Sequence, residues 1–189
     1  MAREEIIAGP LEVHLAPRGE SFPDVGTDPA GDWELLGQSG TENYTDDGVS
    51  LSLPQTIEEF IGAGSTMAIK AFRTEEAVEI TVTVADARLA TLAAALNDND
   101  ETEATGQREM SLYRGADVTE LALLARGKSP YEDDGDGQFQ VPACYHSGEP
   151  EVQYVKGEPS AVELTFRSLL PETAEMGDFR VIYSDASVA

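Results

Sequence analysis

The chain has 189 residues, 41% of them hydrophobic, which is enough for one packed domain with or without an appendage. Its 36 acidic and 12 basic residues give a formal net charge of -24, which argues against a protein that grips nucleic acid or an anionic membrane. The first ten residues carry no long apolar stretch, and no run reaches the roughly 18 apolar residues of a membrane span. We therefore expect no signal peptide, and folding in a cytoplasm.

The first part of the chain predicts a strand, a long loop and a second short element. Apolar and polar residues alternate over residues 10–16, which is typical of a half-buried strand, and His14 falls on its polar face as an ordinary exposed histidine. Residues 18–32 are rich in Gly, Pro and Asp and predict a surface loop. Trp33 follows in a short strand or turn, where we expect it to anchor the core.

The stretch from residue 41 to residue 97 organises the rest of the chain. It predicts a strand, a long loop, two strands joined by a tight turn, and a helix. Asp47-Gly48 indicates a turn or bulge within the first strand. The predicted ranges are Tyr44–Leu53 (strand), Gln55–Thr66 (loop), Met67–Arg73 (strand), Val78–Val84 (strand) and Asp86–Asn97 (helix).

The predicted loop, QTIEEFIGAGST, is unusual because it carries large apolar residues. Thr56 followed by Glu59 is the spacing of a capping box around a single helical turn. Exposed apolar clusters on loops mark interfaces, so Phe60 and Ile61 either fold back over the core or contact another subunit. The sequence leaves both readings open. The candidate contact residues are Ile57, Glu58, Glu59, Phe60 and Ile61.

The last strand of this stretch alternates cleanly and leads into a short amphipathic helix. Its polar residues Glu79, Thr81 and Thr83 are expected on the face opposite the core. Asp86 is a natural N-cap, and asparagine at the helix end tolerates the left-handed cap position. The apolar stripe at helical spacing, expected to lie flat on the sheet, is Leu89, Leu92, Ala93 and Leu96.

The second half of the chain is again predicted to be β. We expect a hairpin of residues 108–113 with 119–125, and an edge strand through Pro142, because proline cannot donate to a ladder. Further strands are predicted near residues 162–167 and 179–183. The sum is about nine strands and one helix: an all-β fold of two packed antiparallel sheets, a sandwich or barrel, with one flanking helix. Residues 1–170 form the predicted domain, and residues 171–189 a C-terminal extension.

The sequence contains no motif for a cofactor or a catalytic triad, so we expect neither a cofactor nor an enzyme. Asp134 and Asp136 stand at the first and third positions of an EF-hand-like calcium loop, but Tyr145 stands where such a loop needs a glutamate. Cys144 and His146 lie two apart on one predicted strand, which is a poor geometry for proton transfer. We therefore expect no metal site and no catalytic site.

Several segments together carry a family resemblance. They are WELLG at 33–37, YTDDGV at 44–49, the loop through Glu58 and Glu59, the strand ending near Arg73, and VEITVTVADARLATLAAALN at 78–97. GPLEVHLAP at 9–17 adds an N-terminal strand. This pattern of elements covers half to two-thirds of the chain. It resembles the tail tube (major tail) proteins of long-tailed bacteriophages and related archaeal viruses.

The resemblance implies a structural virion protein. Such proteins form six-membered rings that stack into a hollow tube, through which the genome passes into the host. A long loop or hairpin and terminal segments join the rings, and residues 55–66 match that position. The implied partners are other copies of the chain, tail-end and connector proteins, and DNA in transit without specific binding; no membrane is implied. The implied location is the virion tail, assembled in the host cytoplasm, with Glu79, Thr81 and Thr83 facing the lumen or a neighbouring subunit.

Two alternatives remain open at the level of sequence. The inner tube of a contractile injection system shares the implied fold, and a non-enzymatic surface β-sandwich that binds a ligand or carbohydrate is a rival of a different class. The acidity also has two explanations, a lumen that repels phosphate and adaptation to a host living in high salt. The two explanations are compatible.

Overall fold

Twelve strands, one α-helix and one 3₁₀ helix make up the regular structure within the described residues of the computed structural model. These residues are 9, 11–86, 88–97, 99–131, 135–152, 154, 156–157, 159–172 and 178–185. The strands are β1 (Glu12–Pro17), β2 (Glu34–Leu35), β3 (Tyr44–Ser52), β4 (Gln55–Phe60), β5 (Lys70–Glu76), β6 (Glu79–Val84), β7 (Glu101–Ala104), β8 (Gln107–Met110), β9 (Leu121–Lys128), β10 (Asp136–His146), β11 (Val162–Ser168) and β12 (Arg180–Tyr183). The 3₁₀ helix spans Gly40–Asn43, and the α-helix α1 spans Leu89–Ala95.

Eight strands form one antiparallel sheet in the order β2-β1-β9-β10-β11-β6-β3, with β12 as a further partner of β10. Two hairpins, β4 with β5 and β7 with β8, stand outside this sheet. The predicted hairpin of residues 108–113 with 119–125 was wrong. Its first segment overlaps β8, which pairs with β7, and its second overlaps β9, which pairs with β1 and β10.

Strand β10 changes partners along its length. On one edge, its first half pairs with β12 and its end pairs with β11. On the other edge it pairs with β9. The register with β9 shifts between Val141 and Cys144, so Pro142 stands at the irregularity and is fully buried. The predicted edge strand was therefore wrong: a break in the ladder accommodates proline inside a sheet.

The main sheet curls until its two ends meet around one core. Tyr44 at the start of β3 accepts a hydrogen bond from the Val13 N–H of β1 (3.1 Å) and donates to the Leu36 carbonyl (2.9 Å). The core is formed by alternate residues of strands from both ends of the sheet, including Val13, Leu15, Ile80, Val82, Val84, Leu121, Leu123, Leu164 and Phe166. The predicted fold class, all-β with packed antiparallel sheets and one helix, is confirmed.

A smaller second cluster covers the opposite face of β1 and β9. Trp33 packs there with Phe22, their ring centroids 5.2 Å apart, and its indole N–H donates to the Ser21 carbonyl (2.9 Å). Trp33 is thus a core anchor, as predicted. His14 is also buried, so the expectation of an exposed histidine was wrong. The strand is covered on both faces, which sequence alternation alone did not reveal.

Helix α1 is shorter than predicted and presents a different face to the core. It runs from Leu89 to Ala95, about 10 Å, and Asn97 follows with a left-handed φ of 68° as expected. The residues that are fully buried are Thr91, Ala94 and Ala95. The four residues of the predicted stripe are all half-buried, and Leu92 packs against the core. The four are Leu89, Leu92, Ala93 and Leu96. Leu92 of the predicted stripe therefore packs on the sheet, while the most deeply buried residues of the helix lie outside the stripe. The small residues face inward, because they let the helix backbone approach the sheet closely.

The end of the chain belongs to the main sheet. Strand β12 pairs with residues 137–140 of β10, and the Ser184 hydroxyl accepts from the Asp136 N–H (2.8 Å) and donates to the carbonyl of the same residue. The described residues 178–185 thus contain the last strand that was predicted near residues 179–183. Residues 173–177 and 186–189 of the predicted extension lie outside the described residues.

Candidate assembly surface

Strands β4 and β5 form a two-stranded hairpin that projects from the main sheet. Strand β4 directly follows β3, and β5 directly precedes β6; β3 and β6 are neighbours in the main sheet. The two arms are joined at their base, where the Ala77 N–H donates to the Pro54 carbonyl (3.0 Å). Every residue of both strands is exposed. The predicted loop at residues 55–66 is thus the first strand and the turn of this hairpin, and the predicted helical turn from Thr56 was wrong.

The end of the hairpin carries an uncovered apolar cluster. Phe60 is 58% exposed, Ile61 55% and Met67 76%, so Phe60 and Ile61 do not form a lid over the core. Large apolar side chains grouped on a projection are typical of an interaction surface. We call Phe60, Ile61, Met67 and Ile69 the hairpin tip.

The stem of the hairpin carries mostly polar and charged side chains, with a few apolar side chains between them. Arg73 donates to the Glu76 carboxylate (2.9 Å) and to the Gln55 side-chain oxygen (3.0 Å), which fixes the base of the stem. The Lys70 ammonium lies 5.0 Å from the centre of the Phe72 ring, in cation–π geometry. Among the predicted contact residues, Ile57, Glu58 and Glu59 all lie on this stem and are exposed.

Sequence reasoning missed the contribution of the second strand to this surface. Residues 67–73 were predicted only as a strand, with no role in the contact surface, but Met67, Ile69 and Phe72 are all exposed. A signal was present, since large apolar residues stand on both sides of the Gly-Ala-Gly-Ser turn at residues 62–65. Two apolar arms around a glycine-rich turn favour a hairpin over a loop.

A groove of about 500 Å³ lies at the base of the hairpin. One side is formed where β3 leads into β4 and where β5 leads into β6. The other side is the segment after β11, which the Leu169 N–H anchors by donating to the Ala143 carbonyl (2.8 Å). We call this feature the base groove; its apolar lining residues are Leu53, Val78, Leu169, Leu170 and Phe179.

The outer face of β6 and β11 is a polar wall. Glu79, Thr81 and Thr83 alternate with the buried Ile80, Val82 and Val84, as predicted for a strand with one face in the core. Across the pairing with β11, the Thr81 hydroxyl lies 3.0 Å from the Thr165 hydroxyl. The Arg167 guanidinium donates to the Glu79 carboxylate (3.0 Å). We use the name polar wall for Glu79, Thr81, Thr83, Glu163, Thr165 and Arg167.

The Cys144 and His146 pair has the environment of structural residues. Burial raises the pKa of the Cys144 thiol to about 12, so the thiol stays protonated and is a poor nucleophile. Burial, with a smaller effect of the Arg114 charge, lowers the pKa of His146 to about 4. The imidazole packs edge-on against Phe166, with ring centroids 5.7 Å apart.

Within the described residues, no three His, Cys, Asp or Glu side chains are grouped so that they could hold a metal ion. Asp134, one of the two aspartates considered as calcium ligands, lies outside the described residues. Among the helices that the structure describes, none is long and apolar enough to cross a membrane. No protein-family model and no curated protein sequence matches this chain.

Proposed function

We propose that this protein is a structural subunit that assembles with copies of itself into the stacked rings of a viral tail tube. The observation that carries the proposal is the projecting hairpin with its apolar tip. An isolated two-stranded hairpin with exposed Phe and Ile side chains is marginally stable in water, and it gains stability when another surface covers it. The proposal that the assembly is a tail tube rests on the sequence resemblance to tail tube proteins.

The position of the hairpin supports a contact between rings. The stem has six residue pairs, from Gln55 with Glu76 to Phe60 with Lys70. At about 3.3 Å per residue, the last pair lies about 17 Å from the first, so the tip projects about 17 Å from the base. All residues of both strands are exposed, so the stem is free to contact a second copy. The proposed role of Ile57, Glu58, Glu59, Phe60 and Ile61 is to bind the next ring.

The polar wall supports a surface along which DNA slides without being held. It carries two glutamates against one arginine, and the whole chain carries a formal net charge of -24. Such a surface offers phosphates no net attraction, so a passing genome is not retained. We propose that Glu79, Thr81 and Thr83 face the lumen of the tube or a neighbouring subunit.

Negative-stain microscopy of the purified protein tests this function. We expect rings or tubes at high protein concentration in high salt, where screening weakens the repulsion between acidic copies. A chain that stays monomeric at high concentration in both low and high salt would contradict the proposal and favour a surface module that binds a ligand.

A matched pair of variants links assembly to the hairpin. Phe60→Ser with Ile61→Ser removes two exposed apolar side chains from the tip, and Leu112→Ser with Tyr113→Ser removes a similar exposed pair elsewhere. We expect the first variant to form single rings but no tubes, and the second variant to form tubes like the wild type. A gel-shift assay at low salt is a further check, because clear DNA affinity would refute the sliding surface.

A further inference from the structure

Residues 18–32 connect β1 to β2 and lie over the side of β1, β9 and β10 that faces away from the main core. We call this segment the cover. Beneath it the sheet buries His14, Gln138 and Gln140, which are 8%, 1% and 2% exposed. We infer that the cover opens when His14 binds a proton, so that mild acid exposes this side of the sheet. The inference is independent of the assembly proposed above.

Three consecutive residues tie the middle of the cover to the sheet. The Arg126 guanidinium donates to the Asp24 carbonyl (3.3 Å), and the Gln138 side-chain amide donates to the Pro23 carbonyl (2.8 Å). Phe22 packs against the second apolar cluster. A segment held by so small a set of contacts opens locally at a low cost in free energy, so the cover can move while the sheet stays folded.

The closed cover leaves two buried polar atoms without a partner. The Nδ1 atom of His14 and the Nε atom of Arg126 are both buried, and neither has a hydrogen-bond partner among the described residues. A buried polar atom without a partner costs free energy that contact with water restores. Opening the cover brings water to both atoms, which offsets part of the contacts that opening breaks.

Cationic side chains approach this side of the sheet from two strands. On β9, Leu124 is the Cα partner of His14, and Arg126 stands two residues further along on the same face. Beyond β10, Arg180 of β12 donates to the Gln140 side-chain oxygen (2.6 Å). A proton on His14 therefore adds a positive charge to a face that already carries two guanidinium groups.

The neighbouring carboxylates lie at the margins of the same face. Glu12 shares the strand of His14 but is exposed at its start, and Glu34 of β2 and Asp24 of the cover are exposed as well. Burial, followed by the charge of Arg126, lowers the pKa of His14 below its ordinary value of 6.5. The closed form therefore opposes protonation of the imidazole.

The sign of the pH effect follows from this difference. When the cover is open, water reaches the imidazole and the pKa of His14 returns towards 6.5. Below 6.5 and down to the lower pKa of the closed form, the open form binds a proton that the closed form does not. Falling pH therefore favours opening, and the ratio of open to closed molecules rises by up to about tenfold per pH unit in this window.

Trp33 reports on the cover and is the single tryptophan of the chain. Its ring centroid lies 5.2 Å from that of Phe22, and its indole N–H donates to the Ser21 carbonyl (2.9 Å). Opening removes both contacts, so the Trp33 emission should shift to longer wavelength and acrylamide should quench it more strongly. Quenching of the full chain is measured from pH 7.5 to pH 5.5, with far-UV circular dichroism on the same samples.

The two histidines of the chain supply a matched pair of variants. We expect quenching to increase towards pH 5.5 in the wild type and in His146→Gln, with unchanged circular dichroism, and to stay constant in His14→Gln. Constant quenching in the wild type overturns the inference. An equal increase in His14→Gln also overturns it, because another group then drives the opening. Loss of circular dichroism together with the increase would show unfolding of the whole domain in place of a moving cover.

The wild type alone decides the question if His14→Gln fails to fold. Nuclear magnetic resonance of the two imidazole rings follows the protonation of each histidine separately. The midpoint of the quenching change should coincide with the midpoint of the His14 titration. A quenching change that occurs while His14 keeps its protonation state would refute the coupling.

Discussion

Replacing Tyr44 with phenylalanine should weaken the contact between β3 and β1, where the two ends of the sheet meet. We call this contact the seam. The Tyr44 hydroxyl accepts from the Val13 N–H (3.1 Å) and donates to the Leu36 carbonyl (2.9 Å). Val13 is fully buried and Leu36 nearly so. Phenylalanine keeps the ring in the core but leaves a buried donor and a buried acceptor without this partner.

The size of the effect follows from those two groups. A buried polar group that loses its partner costs about 1–3 kcal/mol, so two of them predict a loss of about 3 kcal/mol from the free energy of unfolding. For a chain of this length, that corresponds to a fall of about 6–12 °C in Tm. Tyr154→Phe is the matched control, because Tyr154 is exposed and the same change should be neutral there.

The pH dependence of the same variant gives an independent test. Burial raises the pKa of Tyr44 to about 12, against about 10 in the unfolded chain. Between these values the unfolded chain has lost a proton that the folded chain keeps, so wild-type stability falls as pH rises from 10 to 12. The variant lacks this loss. Its deficit relative to the wild type should therefore shrink by about 1.4 kcal/mol between pH 8 and pH 11.

Urea unfolding of both proteins at pH 8 and pH 11 measures these quantities. Equal stability of wild type and variant at pH 8 would show that the hydroxyl does not hold the seam. A deficit that stays constant up to pH 11 would show that Tyr44 is not protected from ionisation by the fold.

Three further predictions concern buried residues. Phe166→Ala should cost about 3–5 kcal/mol in urea unfolding because Phe166 is 1% exposed, while Leu170→Ala at an exposed position should cost almost nothing; equal costs would contradict the core assignment. Cys144 should react with a thiol reagent at pH 8 only after unfolding, because burial raises its pKa to about 12, and fast labelling of the native protein would contradict this. Burial lowers the pKa of His146 to about 4, so the unfolded chain binds a proton between pH 6.5 and pH 4 that the folded chain does not. Stability should fall as pH falls through this window, and His146→Gln should reduce that slope.

The sequence predicted best those strands that have one face in the core and one in water. Glu79–Val84 and Val162–Ser168 show clean alternation, because burial on one side selects apolar residues at every second position. Asn97 was also predicted correctly, since few other residues adopt a left-handed φ. In each case a local physical requirement determines the residue type.

The projecting hairpin could not be predicted in the same way. Both faces of Gln55–Phe60 are exposed, so no core imposes a period of two on its sequence. Thr56 and Glu59 instead stand at the spacing of a capping box, which suggested a single capped helical turn. The face of α1 was ambiguous for a related reason. The helix is apolar almost all round, so hydropathy alone does not select the face with Thr91, Ala94 and Ala95 that the structure buries.

In the proposed assembly, the length of the hairpin limits the repulsion between copies of a chain this acidic. Copies with a net charge of -24 repel each other, but at physiological salt the repulsion falls off over about 8 Å. An arm of about 17 Å lets the tip contact a second copy while the body that carries the arm stays beyond this screening length. The apolar contact then forms before the bodies of the two copies meet. Raising the salt concentration shortens the screening length further, so assembly should strengthen with salt even though the contact itself is apolar.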